Sequence, residues 1–351
     1  MTAPQIVIAA GGTAGHVVPA LAVADALRAE GAEVTFIGGE RAERELVPQA
    51  GYELRTLRVE PLARRAPLRA LRAAIVDAAA LVAALRLLGE LRPEAVMGAG
   101  GYVAGPVGLA AVLRRTPLVL IEADSHLGLT NRLLAPFARC VCLSFPIPGR
   151  VGRRFRVTGR PIPPIATDRV AARDRFGIGA GETCVLVFGG SQGARSINQA
   201  AVTAFAGARF RVLHAAGERD LPDLEAPGPH YDLRGFIPGF GEALLASDLV
   251  VARAGGSIFE VAAYGRPAVL IPYPYATADH QAENAGYMER AGAAVVIPDA
   301  ELTAPRLAQE VGSLLADRSR LAAMARASAA VAKPGAAPEI AHELLAAARS
   351  G

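Results

Sequence analysis

The stretch 246–285, ASDLVVARAGGSIFEVAAYGRPAVLIPYPYATADHQAENA, decides the interpretation of the rest of the chain. Its apolar run 249–252 has the length and composition of a buried parallel strand, and a glycine pair follows closely. Ser257 is a suitable N-cap for a helix that carries Glu260 in its first turn. Such a turn favours a phosphate, because glycine lets a ligand approach the backbone and the helix start offers free N–H groups.

The same stretch supplies groups that suit a sugar. A carboxylate one turn into a helix, such as Glu260, can accept two hydrogen bonds from a ribose diol. A second strand at 268–271 leads through a loop rich in Pro and Tyr to Gln281 and Asn284, whose amides can reach sugar hydroxyls. These features predict a nucleotide-sugar site, although a tight βα turn with an ordinary first-turn carboxylate would give the same pattern.

The rest of the chain alternates strands and helices in two series. Its 351 residues allow about two domains, and the Pro-rich segment 159–168 separates the series. A glycine turn follows the first strand of each series, GGTAGH from residue 11 and GGSQGA from residue 189. The sequence therefore predicts an α/β protein with two Rossmann-like doubly wound domains, 1–160 and 161–337, facing a cleft.

The individual elements follow from apolar runs and turn residues. We expect the first helix to open at Pro19, which is favoured in a first turn, and a final amphipathic helix at 338–349. Strands are predicted at 5–10, 33–38, 53–58, 95–99, 118–122, 140–143, 185–188, 249–252 and 268–271, and further helices at 41–50, 68–91, 106–114, 130–137 and from about 197 and 258.

The composition argues against several classes of protein. The pI of about 9.2 would suit nucleic acid, but aromatic residues are sparse and no nucleic-acid-binding motif occurs, so no such partner is expected. Three cysteines without a C-x-x-C pair indicate reduced, buried thiols in the cytosol. No signal peptide is expected, and the apolar helix at 73–91 carries too many charges to span a membrane. Scattered histidines and the lack of Asp-x-Asp argue against a metal.

Five motifs in this order resemble the MurG family of GT-B glycosyltransferases: GGTAGHVVPALA from 11, GGYVAGP from 100, GLTN from 128, GGSQGA from 189 and the opening stretch. The resemblance implies inverting transfer of N-acetylglucosamine from UDP-N-acetylglucosamine to the muramoyl 4-hydroxyl of lipid I, without a cofactor. The product would be lipid II, for peptidoglycan and cell wall synthesis. The alternatives are a transferase for another lipid or natural-product acceptor, a UDP-sugar epimerase and a non-catalytic binding protein.

The resemblance also implies the site residues. His16 is the candidate base, and Glu122 and Asp124 follow the fifth strand near it. We expect Asp124 to orient the His16 ring and to raise its pKa. Acceptor binding is expected at Tyr102 and Asn131. Donor binding is expected at Thr13, Ala14, Gly15, Arg160, Gly190, Ser191, Ile237, Arg253, Gly256, Ser257, Glu260, Gln281 and Asn284. Ordinary turn chemistry and core packing remain the alternative for each of them.

Three departures from the family pattern concern the substrates. Asp124 stands where the family's H-E-Q-N segment has a neutral amide. Pro163 occupies the usual arginine position of G-N-P-x-R, so Arg160 is the candidate replacement. The spacing between Arg253 and Glu260 is one residue shorter than usual.

The segment 62–92 is the predicted contact with a membrane. Its six arginines exceed its two carboxylates by four, which equals the formal charge of the whole chain, and an apolar stripe includes Val82 and Leu85. A core-facing helix with solvated arginines accounts for most of this pattern. By the resemblance, however, the segment docks on anionic lipid, and the protein would be peripheral at the cytoplasmic face of the cell membrane.

Overall fold

The computed structural model describes residues 3–59, 67–190, 192–276 and 279–350, and for 67–77 the backbone alone. The chain forms two compact units. The first unit consists of Met1–Pro163 with Lys333–Gly351, and the second of Pro164–Ala332.

The first unit contains a parallel sheet of seven strands. The strands are β1 Gln5–Ala9, β2 Glu33–Gly38, β3 Glu53–Thr56, β4 Ala95–Gly98, β5 Leu118–Glu122, β6 Cys140–Leu143 and β7 Phe155–Val157. The helices are α1 Ala14–Ala29, α2 Ala42–Gln49, α3 Pro67–Leu91, α4 Ala104–Leu113 and α5 Leu129–Leu134. The strand order is β3-β2-β1-β4-β5-β6-β7, so the direction of winding reverses between β1 and β4.

The second unit repeats this plan with six parallel strands. The strands are β8 Cys184–Phe188, β9 Arg211–Ala215, β10 Tyr231–Arg234, β11 Leu249–Ala252, β12 Ala268–Leu270 and β13 Ala294–Val296. The helices are α6 Arg169–Arg175, α7 Arg195–Ala204, α8 Phe240–Ala246, α9 Ile258–Ala263, α10 His280–Arg290, α11 Ala304–Ala316 and α12 Arg318–Val331. The order β10-β9-β8-β11-β12-β13 again reverses beside the first strand, which confirms the predicted doubly wound class.

The central strands are apolar runs because helices cover both faces of each sheet. β8, with the sequence CVLVF, and β11, with LVVA, are buried at every position. Cys140, Cys142 and Cys184 are free thiols and lie buried within strands. In the part of the chain that the structure describes, no helix has the length and apolarity that crossing a bilayer requires.

The last helix, α13 Ala336–Ala348, packs on the first unit. Ile340 and Leu344 are fully buried in the same cluster as Ile8 of β1. Where the chain returns, the Lys333 ammonium donates to the carbonyl oxygen of Val157 at 2.7 Å. The end of the chain therefore completes the core of the unit in which the chain begins.

One predicted helix start and one predicted helix cap are wrong, although α9 begins at Ile258 as predicted. Helix α1 begins at Ala14, so Pro19 lies in its second turn rather than at its opening. Because proline has no N–H, it leaves the carbonyl oxygen of Gly15 without its helical donor, and the guanidinium of Arg160 donates to that oxygen instead. Ser257 precedes α9, but its side chain makes no capping hydrogen bond, since its backbone already has helical angles.

Several elements were not predicted, among them β9, β13, α8, α11 and α12, and two that are short. β7 has three residues, and α6 has seven and begins after Asp168, the end of the predicted linker. The Asp168 carboxylate accepts a hydrogen bond from Ala171 N at 2.9 Å and caps α6. Elements this short carry too little periodicity for recognition from sequence.

Candidate functional site

A buried carboxylate holds the glycine turn between β1 and α1. Gly12 N and Gly39 N donate to the two oxygens of Glu43, each at 2.8 Å. Glu43 is 1% exposed, and a Cβ placed at Gly11 or Gly39 would lie within 3 Å of its carboxylate oxygen Oε1. Glycine is therefore needed for this close approach. Glu43 ties the turn after β1 to the turn after β2.

Glu43 was missed in the sequence analysis, although a signal exists. Glu43 and Val47 are the buried positions of α2 and stand four residues apart, on one face of the helix. A carboxylate on the buried face of a short helix requires partners, because burying an unpaired charge is costly. The adjacent glycine turns supply those partners as backbone N–H groups.

The imidazole of His16 lies on the first turn of α1, against the turn after β4. A Cβ at Gly100 would be 3.2 Å from Nδ1 of His16. This nitrogen is buried and has no hydrogen-bond partner among the described residues, so no carboxylate orients the ring through Nδ1. Burial, followed by the charge of Arg160, lowers the pKa of His16 below 6.5, while Asp124 and Glu43 oppose the shift. Asp124 therefore acts on the pKa of His16 in the expected direction, but desolvation and Arg160 outweigh it, so the net shift is downward.

Glu122 is an anchor for the loop that carries Asp124. Its oxygens accept hydrogen bonds from Asp124 N at 3.2 Å, Gly128 N at 2.8 Å and Asn131 Nδ2 at 2.9 Å. Asn131 Nδ2 also donates to the carbonyl oxygen of Ile121. Both side chains are buried, and burial raises the pKa of Glu122 against the effect of these bonds. Glu122 and Asn131 hold the loop from within, so the structure does not expose them to a substrate.

Other predicted residues of the first unit are accessible. Thr13 and Gly15 are exposed at the start of α1, with Ala14 partly buried between them. The Tyr102 side chain is 51% exposed beside the first glycine turn. These residues lie at or beside the turn that leads to His16, the residue that the sequence predicts as a base.

A hydrogen-bond network centred on Asn198 holds the glycine turn of the second unit. A Cβ at Gly193 would lie 2.1 Å from the carbonyl oxygen of Ala216, so this turn packs directly on the end of β9. Asn198 Nδ2 donates to the same oxygen at 2.9 Å and to a carboxylate oxygen of Asp220 at 3.1 Å. Gly190 adopts a positive φ of 87°, while Ser191 lies outside the described residues.

His214 completes this network, which the sequence analysis did not predict. Because Asn198 donates through Nδ2, its oxygen must accept from His214 Nε2, at 3.0 Å. His214 Nδ1 then accepts from the hydroxyl of Tyr231, at 2.8 Å. Burial lowers the pKa of His214 to about 4, so the ring is neutral at neutral pH.

The turn between β11 and α9 brings two predicted donor groups together. Glu260 lies in the first turn of α9, directly after Gly256 and Ser257. The amide nitrogen of Gln281 would lie 3.9 Å from a Cβ at Gly255, so it faces the same turn. The Gln281 oxygen accepts from Tyr273 N at 3.0 Å, which orients the amide. A helix start, a carboxylate and an amide donor thus surround one glycine turn.

Three other predicted donor residues are buried supports. Arg253 donates to Asp299 Oδ1 at 2.6 Å, to the Ser196 hydroxyl at 2.8 Å and to carbonyl oxygens after β12. Asn284 Nδ2 donates to the carbonyl oxygen of Ala254, at 2.9 Å. Ile237 is 1% exposed. Their side chains hold the loops around the donor turn, and the described structure offers no open face of them to a ligand.

The described part of the chain contains no group of three His, Cys, Asp or Glu side chains that could hold a metal ion. The two turns offer backbone N–H groups, the imidazole of His16 and several oriented carboxylates and amides.

Comparison with known proteins covers nearly the whole chain. Residues 6–143 match the Glycosyltransferase family 28 N-terminal domain, and 184–340 match the Glycosyltransferase family 28 C-terminal domain. The UDP-N-acetylglucosamine--N-acetylmuramyl-(pentapeptide) pyrophosphoryl-undecaprenol N-acetylglucosamine transferase of Moorella thermoacetica is 41% identical, over 99% of this chain and 100% of the relative. The transferase of the same name from Alkalilimnicola ehrlichii is 42% identical over the same shares. The crystal structure of Acinetobacter baumannii MurG has a TM-score of 0.77 at 29% identity, covering 98% of this chain and 100% of that one.

Proposed function

The chain belongs to the MurG family of glycosyltransferases, and on this premise we propose that it transfers N-acetylglucosamine from UDP-N-acetylglucosamine to lipid I. The acceptor atom is the 4-hydroxyl of the muramoyl sugar, the anomeric centre is inverted, and the product is lipid II. The observation that carries the proposal is the identity of 41% to a transferase of that name over the full length of both chains.

In this proposal the second unit binds the donor. Glu260 accepts the ribose hydroxyls, because it lies in the first helical turn after the glycine pair. The amide of Gln281, already oriented by Tyr273 N, donates to the sugar. The diphosphate lies at the start of α7, where the glycine turn admits it close to free N–H groups. These donors would stabilise the charge that develops on departing UDP.

The first unit supplies the base. The acceptor 4-hydroxyl gives its proton to His16 as its oxygen bonds to the anomeric carbon and the bond to UDP breaks. A lowered pKa keeps the imidazole neutral and able to accept that proton at neutral pH. Asp124 and Glu43 act on the ring through their charge, which stabilises the imidazolium that forms. Asp124 thus acts on the base through its charge.

One assay tests this function. UDP release is measured with several UDP-sugars, in the presence and absence of a short-chain lipid I analogue. We expect release that requires both UDP-N-acetylglucosamine and the analogue, together with formation of the disaccharide. Release of free sugar without consumption of the acceptor would indicate hydrolysis or epimerase chemistry and would contradict the proposal.

We also propose that the first unit docks on an anionic membrane, as a peripheral protein of the cytoplasmic face. Support comes from exposed apolar side chains on the adjacent helices α4 and α5, with arginines beside them. The predicted residues Arg64 and Arg65 lie outside the described residues, and the side chains of Arg69 and Arg72 are not described. The docking face defined here comprises Leu109, Leu113, Leu129, Leu133, Phe137, Arg114, Arg115, Arg132 and Arg139.

Co-sedimentation with vesicles tests the docking face. Each arginine near an anionic surface contributes about 1 kcal/mol, and salt screens the effect. The substitutions Arg114→Glu, Arg115→Glu and Arg132→Glu together should reduce binding to phosphatidylglycerol vesicles, most clearly at low salt, without reducing turnover of a short-chain acceptor. Reversal of Arg318, Arg320 and Arg326, on α12 of the second unit, is the matched control. Equal vesicle binding by both triple variants would contradict the docking face.

A further inference from the structure

A cavity of about 280 Å³ opens beside the first glycine turn, at the carboxyl ends of β1, β2 and β3. Its volume is near the lower end of the range for ligand sites, roughly 300 Å³. Gly12 and Tyr102 form the side of the cavity at the first glycine turn, and Leu57 and Val59 form an apolar wall. Neither the base nor the donor turn of the proposed mechanism accounts for this cavity.

Two guanidinium groups give the cavity its chemistry. Arg41, at the N-cap of α2, and Arg58, after β3, both line it and are both exposed. Neither guanidinium group makes a hydrogen bond or ion pair with another described residue. Two carboxylates also lie in the wall. That of Glu43 is already bonded to two backbone N–H groups, and that of Glu40 is exposed to solvent. A carboxylate ligand would therefore find cationic partners next to an apolar wall and an aromatic ring.

We propose that this cavity binds the peptide of the acceptor, with a peptide carboxylate paired to Arg41 and Arg58. The inference rests on the proposed function, because the relatives' acceptor is named as a muramyl-(pentapeptide) compound. In a muramoyl sugar the peptide leaves from the ring carbon next to the one that bears the 4-hydroxyl, whereas the diphosphate is attached across the ring. With the 4-hydroxyl at His16, the substituent nearest the glycine turn and its cavity is the peptide.

The apolar wall and Tyr102 suit the same ligand. Peptide side chains and methyl groups pack on apolar surface, while a diphosphate would gain nothing from Leu57 or Val59. Tyr102 can cover the peptide with its ring and still keep its hydroxyl in water. The cavity is thus a specificity site for the acceptor, separate from the donor turn of the second unit.

The test uses two soluble acceptors with the same short lipid diphosphate. One carries the full pentapeptide, and the other carries a neutral methylamide on the lactyl group in place of the peptide. The variant is Arg41→Gln with Arg58→Gln, and the matched control is Arg44→Gln, an exposed arginine of α2 that does not line the cavity. All three proteins are assayed with both acceptors at saturating UDP-N-acetylglucosamine.

For the wild type and the control, we expect KM to rise roughly three- to tenfold when the peptide is removed, as exposed ion pairs contribute modestly. The double variant should show the raised KM with the full acceptor and no further rise with the truncated one. An equal loss on both acceptors would place the arginines at the diphosphate or sugar and overturn the inference, as would an unchanged KM. Transfer to the truncated acceptor by every protein would show that the proposed function stands independently of this result.

Discussion

The two units share a strand order and a glycine turn after the first strand, yet they hold that turn by different means. In the first unit, one carboxylate side chain, Glu43, binds the turn through two backbone N–H groups. In the second unit, a neutral chain from Tyr231 through His214 and Asn198 reaches the turn through a backbone carbonyl oxygen. The difference teaches that the same backbone motif can be fixed with or without charge.

The choice agrees with the chemistry proposed for each turn. A negative charge near His16 opposes the loss of basicity that burial causes, so Glu43 both holds the turn and helps its base. Beside a diphosphate, a carboxylate on the turn would repel the ligand. Asp220, at the far side of Asn198, is instead neutralised by Arg219 at 2.9 Å. The comparison therefore predicts that substitution of Glu43 changes the proton transfer at His16, whereas substitution of Asn198 changes UDP binding.

The largest effect is expected at the base itself. His16→Ala should lower kcat by about 10²–10⁴-fold, because the proton of the acceptor hydroxyl loses its partner in the transition state. Affinity for UDP, measured by calorimetric titration, should change little. Asp124→Asn should lower kcat less, since Asp124 acts through charge alone. A larger loss in Asp124→Asn, with both variants folded and binding UDP, would make the carboxylate the base.

Glu260 tests the donor side of the comparison. Glu260→Gln should weaken UDP binding about ten- to a hundredfold, through the loss of charge-assisted hydrogen bonds of about 1.5–3 kcal/mol. The pH dependence of kcat should stay the same, because no proton moves at this residue. Glu283→Gln, on α10, is the matched control. Unchanged UDP affinity in a folded Glu260→Gln protein would remove this residue from the site.

Substitutions of Glu43 and Asn198, which hold the two glycine turns, should change different kinetic parameters. Glu43→Gln should cost about 1.5–3 kcal/mol of stability and lower kcat about tenfold, because one backbone N–H then faces an amide donor. It should also move the acidic limb of the kcat profile to lower pH, since a charge that raises the pKa of His16 is lost. UDP affinity should remain unchanged.

Asn198→Ala is the corresponding change in the second unit. It should weaken UDP binding and leave the pH profile of kcat where it was, because no charge near His16 is altered. Calorimetric titration and rate profiles on both variants provide the measurement. If the two variants shift the same parameter, the division of labour between a charged and a neutral support is wrong.

The last prediction concerns acid stability and leaves catalysis aside. Because burial lowers the pKa of His214 from 6.5 to about 4, the unfolded chain binds a proton between these values and the folded chain does not. Stability should therefore fall with pH below 6.5, by about 1.4 kcal/mol per unit, or about 2 kcal/mol at pH 5. Urea unfolding at pH 7 and pH 5 should show this loss, reduced in His214→Gln and retained in the exposed control His342→Gln. An equal loss in all three proteins would contradict it.

The sequence by itself determined the α/β class, the two series of strands, the glycine turns and the family. These features are local: apolar runs of strand length, glycines that directly follow them, and motifs in a fixed order. The start of α1 was mispredicted because it depends on a residue distant in sequence. Arg160 donates to the carbonyl oxygen of Gly15, which Pro19 leaves without a helical donor.

Only the tertiary structure decided which of the polar residues are open to a ligand. Glu122, Asn131, Arg253 and Asn284 have suitable chemistry, but they are buried and bonded to nearby backbone or side chains. Burial and hydrogen bonding depend on residues distant in sequence, and so does the direction of the pKa shift at His16. The sequence did not predict Glu43 and the His214 network for the same reason. Each joins segments that are distant in sequence and meet only when parallel strands align side by side.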